Sequence, residues 1–353
     1  MKRASMVVSI LALVLSTTPR VSTAGPEATP FDDSEVLHVE YPEWFNEGFL
    51  DLEHDLETAR DEGRSGLMVL FTTDGCSYCD LFIREALGDP GIARRVRERF
   101  DSVGMEIFSD DEMTAPDGET LSVKQFADSQ GAEYSPTLLF FGEGGQRRLR
   151  LVGYQSPERF GVALDYLLGE HDGSMSYPDF VLSRRGPAEA GSEHALRLDP
   201  MFRAQPYALD RSRVAASKPL LVIFESANCA ECATFHDDVL SVPDIRRRLA
   251  RFEVVRLDAE DPTTPVSTPG GDRANPAGWF ESTGFSRLPA MLFFDEQGNE
   301  VLCTDALVLE QRMTNSLDFV LDRVYEKGWT YQRFARSRGA EKARNRQAAD
   351  EGA

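Results

Sequence analysis

Short apolar runs alternate with amphipathic stretches in the first half of the chain. Residues 67–71 form a continuous apolar run, which indicates a buried strand, whereas residues 47–60 space their apolar side chains as an amphipathic helix does. Glycine and proline punctuate the segments that follow. These patterns predict further helices at 81–86, 92–100, 123–129 and 157–168 and strands at 102–108, 137–141 and 149–153, with an acidic loop at 109–121.

The second half of the chain repeats this order of elements. An apolar run at 220–224 again precedes amphipathic segments and a late pair of apolar runs. We predict helices at 207–216, 243–250 and 309–325 and strands at 220–224, 253–257, 290–294 and 300–304, with a loop rich in Pro, Thr and Gly at 259–277.

An offset of 153 residues relates the two halves. It carries the Cys-x-x-Cys element at 76–79 onto the one at 229–232, and it carries Pro136 onto Pro289. It also superposes apolar positions, including the pairs Phe71 and Phe224, Phe82 and Phe235, Leu87 and Leu240, and Phe140 and Phe293. Chance does not preserve chemical and core positions together over such a length, so the chain is a tandem duplication of one α/β domain.

The N-terminus has the pattern of a secretory signal. Lys2 and Arg3 precede an apolar run at 6–15, and small residues at 22–24 offer a cleavage site. The run is too short to span a bilayer, so we expect no stable membrane insertion. We therefore predict an exported protein, periplasmic if the source is Gram-negative. Its cysteines would then lie in an oxidising compartment.

Composition shifts divide the rest of the chain. The lead is polar and contains proline, the middle contains an Arg-Arg-Gly-Pro run, and the end lacks a core-forming pattern. We predict a signal peptide at 1–24, a flexible lead at 25–40, a first domain at 41–171, a linker at 172–200, a second domain at 201–329 and a polar tail at 330–353 that is frayed helix or disordered.

The charge excludes one class of partner. The chain has 38 Lys and Arg against 59 Asp and Glu, a net charge of −21. Such a chain repels polyanions, so we expect neither nucleic acid nor anionic lipid as a general partner.

Four of the five cysteines form two close pairs, Cys76 with Cys79 and Cys229 with Cys232, and Cys303 remains outside them. A bridge between residues three apart closes almost no chain, so it contributes little to stability, and the pairs are better explained by chemistry. The nucleophile in disulfide exchange is a thiolate, which the N–H groups of a helix N-terminus stabilise. We therefore expect the first cysteine of each pair to attack and the second to resolve the mixed disulfide.

Three less specific features have simpler explanations. Zinc ribbons place their cysteine pairs about 15–20 residues apart, whereas these pairs belong to separate repeats, so we expect no metal site. His236 follows Cys232 by four residues, but its counterpart is Ile83, and we interpret it as a solvated helix residue. Cys303 falls on a predicted strand and is interpreted as a small buried apolar residue.

Both halves resemble the thioredoxin fold: a strand, a Cys-x-x-Cys at the start of a helix, a strand introduced by proline, a hairpin and a last helix. The first half is similar to periplasmic SoxW-type thioredoxins at 72–79, 110–119 and 134–141. The resemblance implies two consecutive thioredoxin-like domains, each a central mixed sheet flanked by helices. It also implies that Pro136 and Pro289 are cis and that the backbones of Ser135 and Leu288 are exposed beside the sulfurs to bind a substrate strand.

The sequence departs from the thioredoxin pattern at several positions. Gly75 and Asn228 stand where thioredoxins usually carry Trp, and apolar Leu70 and Ile223 stand where they carry a buried acid. Glu231, inside the second motif, is expected to oppose thiolate formation at the second site and to make that site the more reducing one.

Together these features predict a thiol–disulfide oxidoreductase that needs no cofactor. Its partners would be protein disulfide substrates, and the resemblance favours a reductant that is itself reduced by a membrane thiol carrier. The alternative is a non-catalytic peptide-binding or scaffold protein in which one or both redox sites are vestigial.

Overall fold

A four-stranded mixed sheet forms the centre of each half of the chain. The structure, a computed structural model, describes residues 31–46, 48, 50–132, 134–169, 175–184, 196–227 and 229–351. The predicted signal peptide at 1–24 lies outside the described residues. From Asp33 onward, the described residues belong to one compact unit that contains both halves.

The first domain places its sheet between two layers of helix. Its elements in chain order are α1 (Leu52–Asp61), β1 (Gly66–Thr72), α2 (Ser77–Phe82) with a π-helical continuation (Ile83–Leu87), α3 (Pro90–Arg99), β2 (Phe100–Glu106), β3 (Glu112–Thr114), β4 (Thr120–Ser122), α4 (Val123–Ser129), β5 (Thr137–Gly142), β6 (Arg147–Val152), α5 (Pro157–Leu167) and α6 (Tyr177–Arg184).

The second domain repeats that arrangement. Its elements are β7 (Tyr207–Ala208), β8 (Leu220–Glu225), α7 (Ala230–Thr234) with a π-helical continuation (Phe235–Leu240), α8 (Pro243–Leu249), β9 (Glu253–Asp258), β10 (Val266–Ser267), β11 (Arg273–Ala274), α9 (Pro276–Thr283), β12 (Ala290–Phe294), β13 (Glu300–Thr304), α10 (Glu310–Leu321), a 3₁₀ turn (Val324–Lys327) and α11 (Tyr331–Glu351).

The two sheets have the same topology. The strand order is β2-β1-β5-β6 in the first domain and β9-β8-β12-β13 in the second. In each, the first two strands of that order are parallel and the remaining pairs are antiparallel. The central strands β1, β5, β8 and β12 are buried along their whole length, because helices cover both faces of each sheet. The predicted fold is therefore confirmed in both halves.

Aromatic side chains fill the first core on one face of the sheet. Phe82 packs edge-to-face against Phe160, and Phe100 packs in the same way against Phe140, with ring centroids 5.2 Å apart in both pairs. The opposite face packs Phe71 and its apolar neighbours against α1 and α4. These contacts fix the start of α2, and with it the first Cys-x-x-Cys element, over the end of β1.

One predicted helix is wrong, and the predicted linker and loops contain short elements that the sequence did not indicate. The helix predicted at 207–216 does not form; Tyr207–Ala208 pairs as a strand with β10, and buried Arg211 donates to the carbonyls of Lys218 and Asp295, which holds this segment extended. The predicted linker contains α6, whose Phe180 is buried beside Tyr166 of α5. The two predicted loops at 109–121 and 259–277 contain the short pairs β3–β4 and β10–β11.

The predicted helix at 47–60 starts later than expected. Leu50 takes a positive φ of 56°, and Asp51 then caps α1 by accepting the N–H of His54. The C-terminal tail, predicted to be frayed helix or disordered, forms the helix α11. Tyr331 and Phe334 of α11 are buried against Phe319 of α10, and these few apolar side chains anchor an otherwise polar helix.

Candidate active site

Each Cys-x-x-Cys element lies at the start of a helix. Cys76 is the N-cap of α2, and its Sγ accepts the backbone N–H of Cys79 at 3.1 Å. Cys229 is the N-cap of α7, and its Sγ accepts the N–H of Cys232 at 3.0 Å. Both pairs are disulfide-bonded. On reduction, the same N–H groups and the positive end of the helix would stabilise a thiolate on the first sulfur.

The two sulfurs of each pair differ in exposure. Cys79 is fully buried and Cys232 is 4% exposed, whereas Cys76 and Cys229 are half-buried. A nucleophile that meets an external disulfide must be reachable from solvent, and its resolving partner need not be. The assignment of Cys76 and Cys229 as attacking thiols stays a prediction, and this geometry favours it.

The prolines opposite the cysteines introduce β5 and β12. The bonds Ser135–Pro136 and Leu288–Pro289 are both cis. The expected exposure of the preceding residues is wrong, however, because Ser135 is 2% and Leu288 5% exposed. At the first site the carbonyl of Ser135 accepts a hydrogen bond of 2.7 Å from Nη2 of Arg312, a residue of the second domain.

Tyr78, between the cysteines of the first motif, is buried under the second domain. Its hydroxyl donates to Oδ2 of Asp33 at 2.8 Å and accepts the N–H of Leu309 at 3.1 Å. The guanidinium of Arg312 lies 3.6 Å from its ring centroid. Burial raises the pKa of Tyr78 well above its ordinary value, so the phenol stays neutral.

The lead contacts the first site through Asp33. Its carboxylate accepts the N–H groups of Gln311 and Arg312 in the first turn of α10, in addition to the Tyr78 hydroxyl. A carboxylate at a helix N-terminus satisfies otherwise unpaired N–H groups and favours the helix dipole. This part of the expected flexible lead is therefore held between the first motif and the second domain.

Glu231 occupies the equivalent position in the second motif and is paired across the domains. Its Oε1 accepts a hydrogen bond of 2.5 Å from Nη2 of Arg159, at the start of α5. Burial alone would raise the pKa of Glu231, but the hydrogen bond and charge of Arg159 outweigh it and the pKa lies below its ordinary value. The carboxylate is therefore charged, and Arg159 offsets the repulsion that we expected Glu231 to exert on a thiolate at Cys229.

Replacing Glu231 by glutamine should raise the reduction potential of the second site. The substitution leaves the charge of Arg159 uncompensated, which stabilises the Cys229 thiolate and hence the reduced form. Each unit by which the thiol pKa falls corresponds to about 30 mV for this two-electron couple. The potential is to be measured in a Cys76→Ser/Cys79→Ser background, so that only the second pair titrates.

The matched controls use the partner of Glu231. Arg159→Gln should lower the potential, because it leaves the carboxylate unpaired, and the double variant should return close to the parent value. A potential that does not move in either single variant would show that this pair does not influence the sulfurs.

A buried acid–histidine pair lies beneath the second motif and was missed in the sequence. Nε2 of His236 lies 2.9 and 3.1 Å from the two carboxylate oxygens of Glu225, and both residues are buried. The expectation of a solvated histidine is therefore wrong. Glu225 is the last residue of the apolar run of β8, and an acid in such a run was the available signal. The first domain has Thr72 and Ile83 at these positions.

The remaining cysteine lies outside both disulfides. The sequence predicts a buried Cys303, but this residue of β13 is half-buried. It packs against the apolar cluster around Phe224. It also lines an interdomain cavity of about 640 Å³ together with Arg159, Glu231 and Arg287. Within the described ranges, no group of three His, Cys, Asp or Glu side chains has the arrangement of a metal site. The helices of the described part include none with the length and apolarity to cross a bilayer.

Comparison with solved structures finds thioredoxin folds, and three of them each match about one domain of this chain. A thioredoxin-fold protein from Helicobacter pylori is 18% identical, over 33% of this chain and 78% of that one, with a TM-score of 0.31. A thioredoxin from Thermus thermophilus is 24% identical, over 34% and 85% of the two chains, with a TM-score of 0.28. The C-terminal domain of Neisseria meningitidis DsbD is 14% identical, over 30% and 82%, with a TM-score of 0.23. No curated protein matches the chain.

The family model for the thioredoxin-like domain matches the chain twice, at residues 52–168 and 208–321. The two matches cover both sheets and both Cys-x-x-Cys elements, and together they span more than half of the chain. The chain therefore belongs to the thioredoxin-like domain family and carries that domain in tandem.

Proposed function

We propose that this protein is an exported thiol–disulfide oxidoreductase that reduces protein disulfides at two Cys-x-x-Cys sites. One observation carries the proposal: in both domains a half-buried cysteine caps a helix and is bonded to a buried cysteine one turn later. A stapling role does not account for this, since each bridge closes a loop of three residues.

Each site would reduce a substrate disulfide in two steps. The thiolate of Cys76 or Cys229 attacks one sulfur of the substrate disulfide, forms a mixed disulfide and releases the other substrate sulfur as a thiolate. The thiolate of Cys79 or Cys232 then attacks the sulfur of Cys76 or Cys229 in the mixed disulfide and releases the second substrate thiol. The substrate gains two electrons and two protons, and the protein dithiol becomes a disulfide.

Proton transfer to and from the resolving cysteine differs from the usual thioredoxin arrangement. The positions of the expected buried acid hold Leu70 and Ile223, both fully buried. Water at the half-buried rim of each site, or a group of the substrate, would therefore carry the proton. This difference separates the proposal from a general thioredoxin activity.

Resetting the sites requires a reductant from outside the chain. The SoxW-type resemblance of the first domain supports a membrane thiol carrier in this role, and the signal-like N-terminus supports an exported protein, periplasmic if the source is Gram-negative. Such a carrier would reduce the Cys76–Cys79 or the Cys229–Cys232 disulfide by the reverse of the two steps above.

A reduction assay tests the function. The protein without residues 1–24 is reduced, freed of reductant and mixed with insulin, and the new insulin thiols are counted. An oxidoreductase should transfer up to two dithiols per chain, whereas a peptide-binding or scaffold protein should bind insulin without forming thiols. Failure to form any would favour the scaffold alternative.

A further inference from the structure

The two domains pack around an approximate two-fold axis that relates equivalent residues. Gly153 and Ala306 are equivalent in the repeat, and they touch: a Cβ on Gly153 would lie 2.3 Å from that of Ala306. Gly153 has a φ of 76°, so a side chain there is disfavoured by the backbone as well as by the contact. Equivalent residues meet in this way only near a symmetry axis.

Reciprocal arginines cross this interface. Arg159 is the third residue of α5 and Arg312 the third residue of α10, and the two are equivalent in the repeat. Each reaches the residue that precedes the second cysteine of the other domain, Glu231 for Arg159 and Tyr78 for Arg312. Each motif is thus completed by a cation from the other domain.

The two arginines differ in the groups that bind them. Arg159 is held by the carboxylate of Glu231. Arg312 meets a neutral ring instead, and within the described ranges no carboxylate oxygen lies within 4.0 Å of its guanidinium nitrogens. Its Nη2 donates to the carbonyl of Ser135 at 2.7 Å and its Nη1 to that of Leu307 at 3.0 Å, and the side chain is buried.

The space beside Cys76 is small. A cavity of about 180 Å³ is lined by Cys76, Ser135 and Arg312, together with side chains of α11 and of the lead. Pockets for drug-sized ligands are about 300–1,000 Å³. An extended peptide needs more room than this cavity has, and it also needs backbone carbonyls with which to pair.

We propose that Arg312 is a specificity-determining residue of the first redox site. It holds the Ser135 carbonyl that an extended substrate would use, so that Cys76 exchanges with small disulfides in preference to peptide segments. The inference rests on the proposed function and adds a substrate class to it. At the second site the equivalent arginine is engaged by Glu231, so the same restriction does not apply there.

Two probes with a common leaving group test this inference. Both are mixed disulfides of 5-thio-2-nitrobenzoate, one with 2-mercaptoethanol and one with a cysteine in the middle of an extended peptide. The Cys229→Ser/Cys232→Ser variant is reduced and mixed with each probe in a single turnover. Attack by Cys76 releases the coloured thiolate, and Cys79 then displaces the small thiol or the peptide thiol.

Arg312→Gln should raise the ratio of the peptide rate to the small-probe rate about tenfold, since the freed carbonyl gains a hydrogen bond worth about 1.4 kcal/mol. Arg312→Lys keeps one donor for the Ser135 carbonyl and should keep the ratio near that of the parent. The matched control is Arg159→Gln in a chain that retains only the second pair, where the ratio should not change.

The outcomes separate the inference from the proposed function. A ratio that stays constant in Arg312→Gln, or rates that change in parallel for both probes, would overturn the specificity role and indicate a purely structural residue. If the parent protein reacts with neither probe at either site, the proposed function fails and the inference fails with it.

Discussion

Replacing Cys76 and Cys229 together by serine is expected to abolish disulfide exchange, with a loss of at least about 10³-fold in the insulin assay. A serine hydroxyl does not ionise near neutrality and cannot form the mixed disulfide. Each single variant should keep exchange at the other domain, because the two sites lie on separate sheets, and Cys76→Ser should keep more of the insulin activity than Cys229→Ser, because Arg312 restricts peptide access to the first site. Cys303→Ser is the control and should leave the activity unchanged.

Two results would contradict this assignment. Exchange that survives in the double serine variant would mean that Cys79 and Cys232, although buried, are the attacking thiols. A complete loss in Cys76→Ser, which keeps the unrestricted second site, would mean that the two sites act in series and not side by side.

The second large effect concerns the buried pair of Glu225 and His236. His236→Ile leaves the Glu225 carboxylate buried, and within 4.0 Å of it the described residues then supply one cation, Nε of Arg256 at 4.0 Å. Removing one partner of a buried pair typically costs about 3–5 kcal/mol. We therefore expect the urea midpoint of the second domain to fall correspondingly. The unfolding is monitored by the fluorescence of Trp279, which packs against Phe224.

The chain provides its own control for this prediction. The double variant Glu225→Thr/His236→Ile installs the pair that the first domain has at Thr72 and Ile83. Because it removes the buried charge together with its partner, it should recover most of the lost stability and lie within about 1 kcal/mol of the parent. If the double variant is as unstable as His236→Ile, the loss comes from packing and not from an uncompensated charge.

The regular elements could be predicted because local pattern and tertiary context agree. The helix at 123–129 and the strands at 290–294 and 300–304 have the predicted bounds, since capping residues and proline mark their ends. The tandem thioredoxin-like fold followed from the repeat of motif, proline and core positions. These features depend on neighbours within one domain, which the sequence displays in order.

The errors come from contacts between distant parts of the chain. α11 has few apolar residues, and its Tyr331 and Phe334 become core only because α10 lies beside them. The sequence around His236 indicates a solvated residue, because it does not show that Glu225, eleven residues earlier, contacts the imidazole in the fold. The offset identifies Arg159 and Arg312 as equivalent residues, but their partners lie in the other domain, and no spacing in the sequence predicts how the domains pack.

The central claim is that both cysteine pairs are redox-active, and a redox titration tests it most directly. The protein is equilibrated in thiol–disulfide buffers of graded potential, quenched and alkylated, and each cysteine is quantified by mass spectrometry. We predict that Cys76 and Cys79 change together, that Cys229 and Cys232 change together, and that Cys303 is alkylated at every potential. Pairs that stay oxidised at all accessible potentials, or cysteines that are alkylated throughout, would contradict the account.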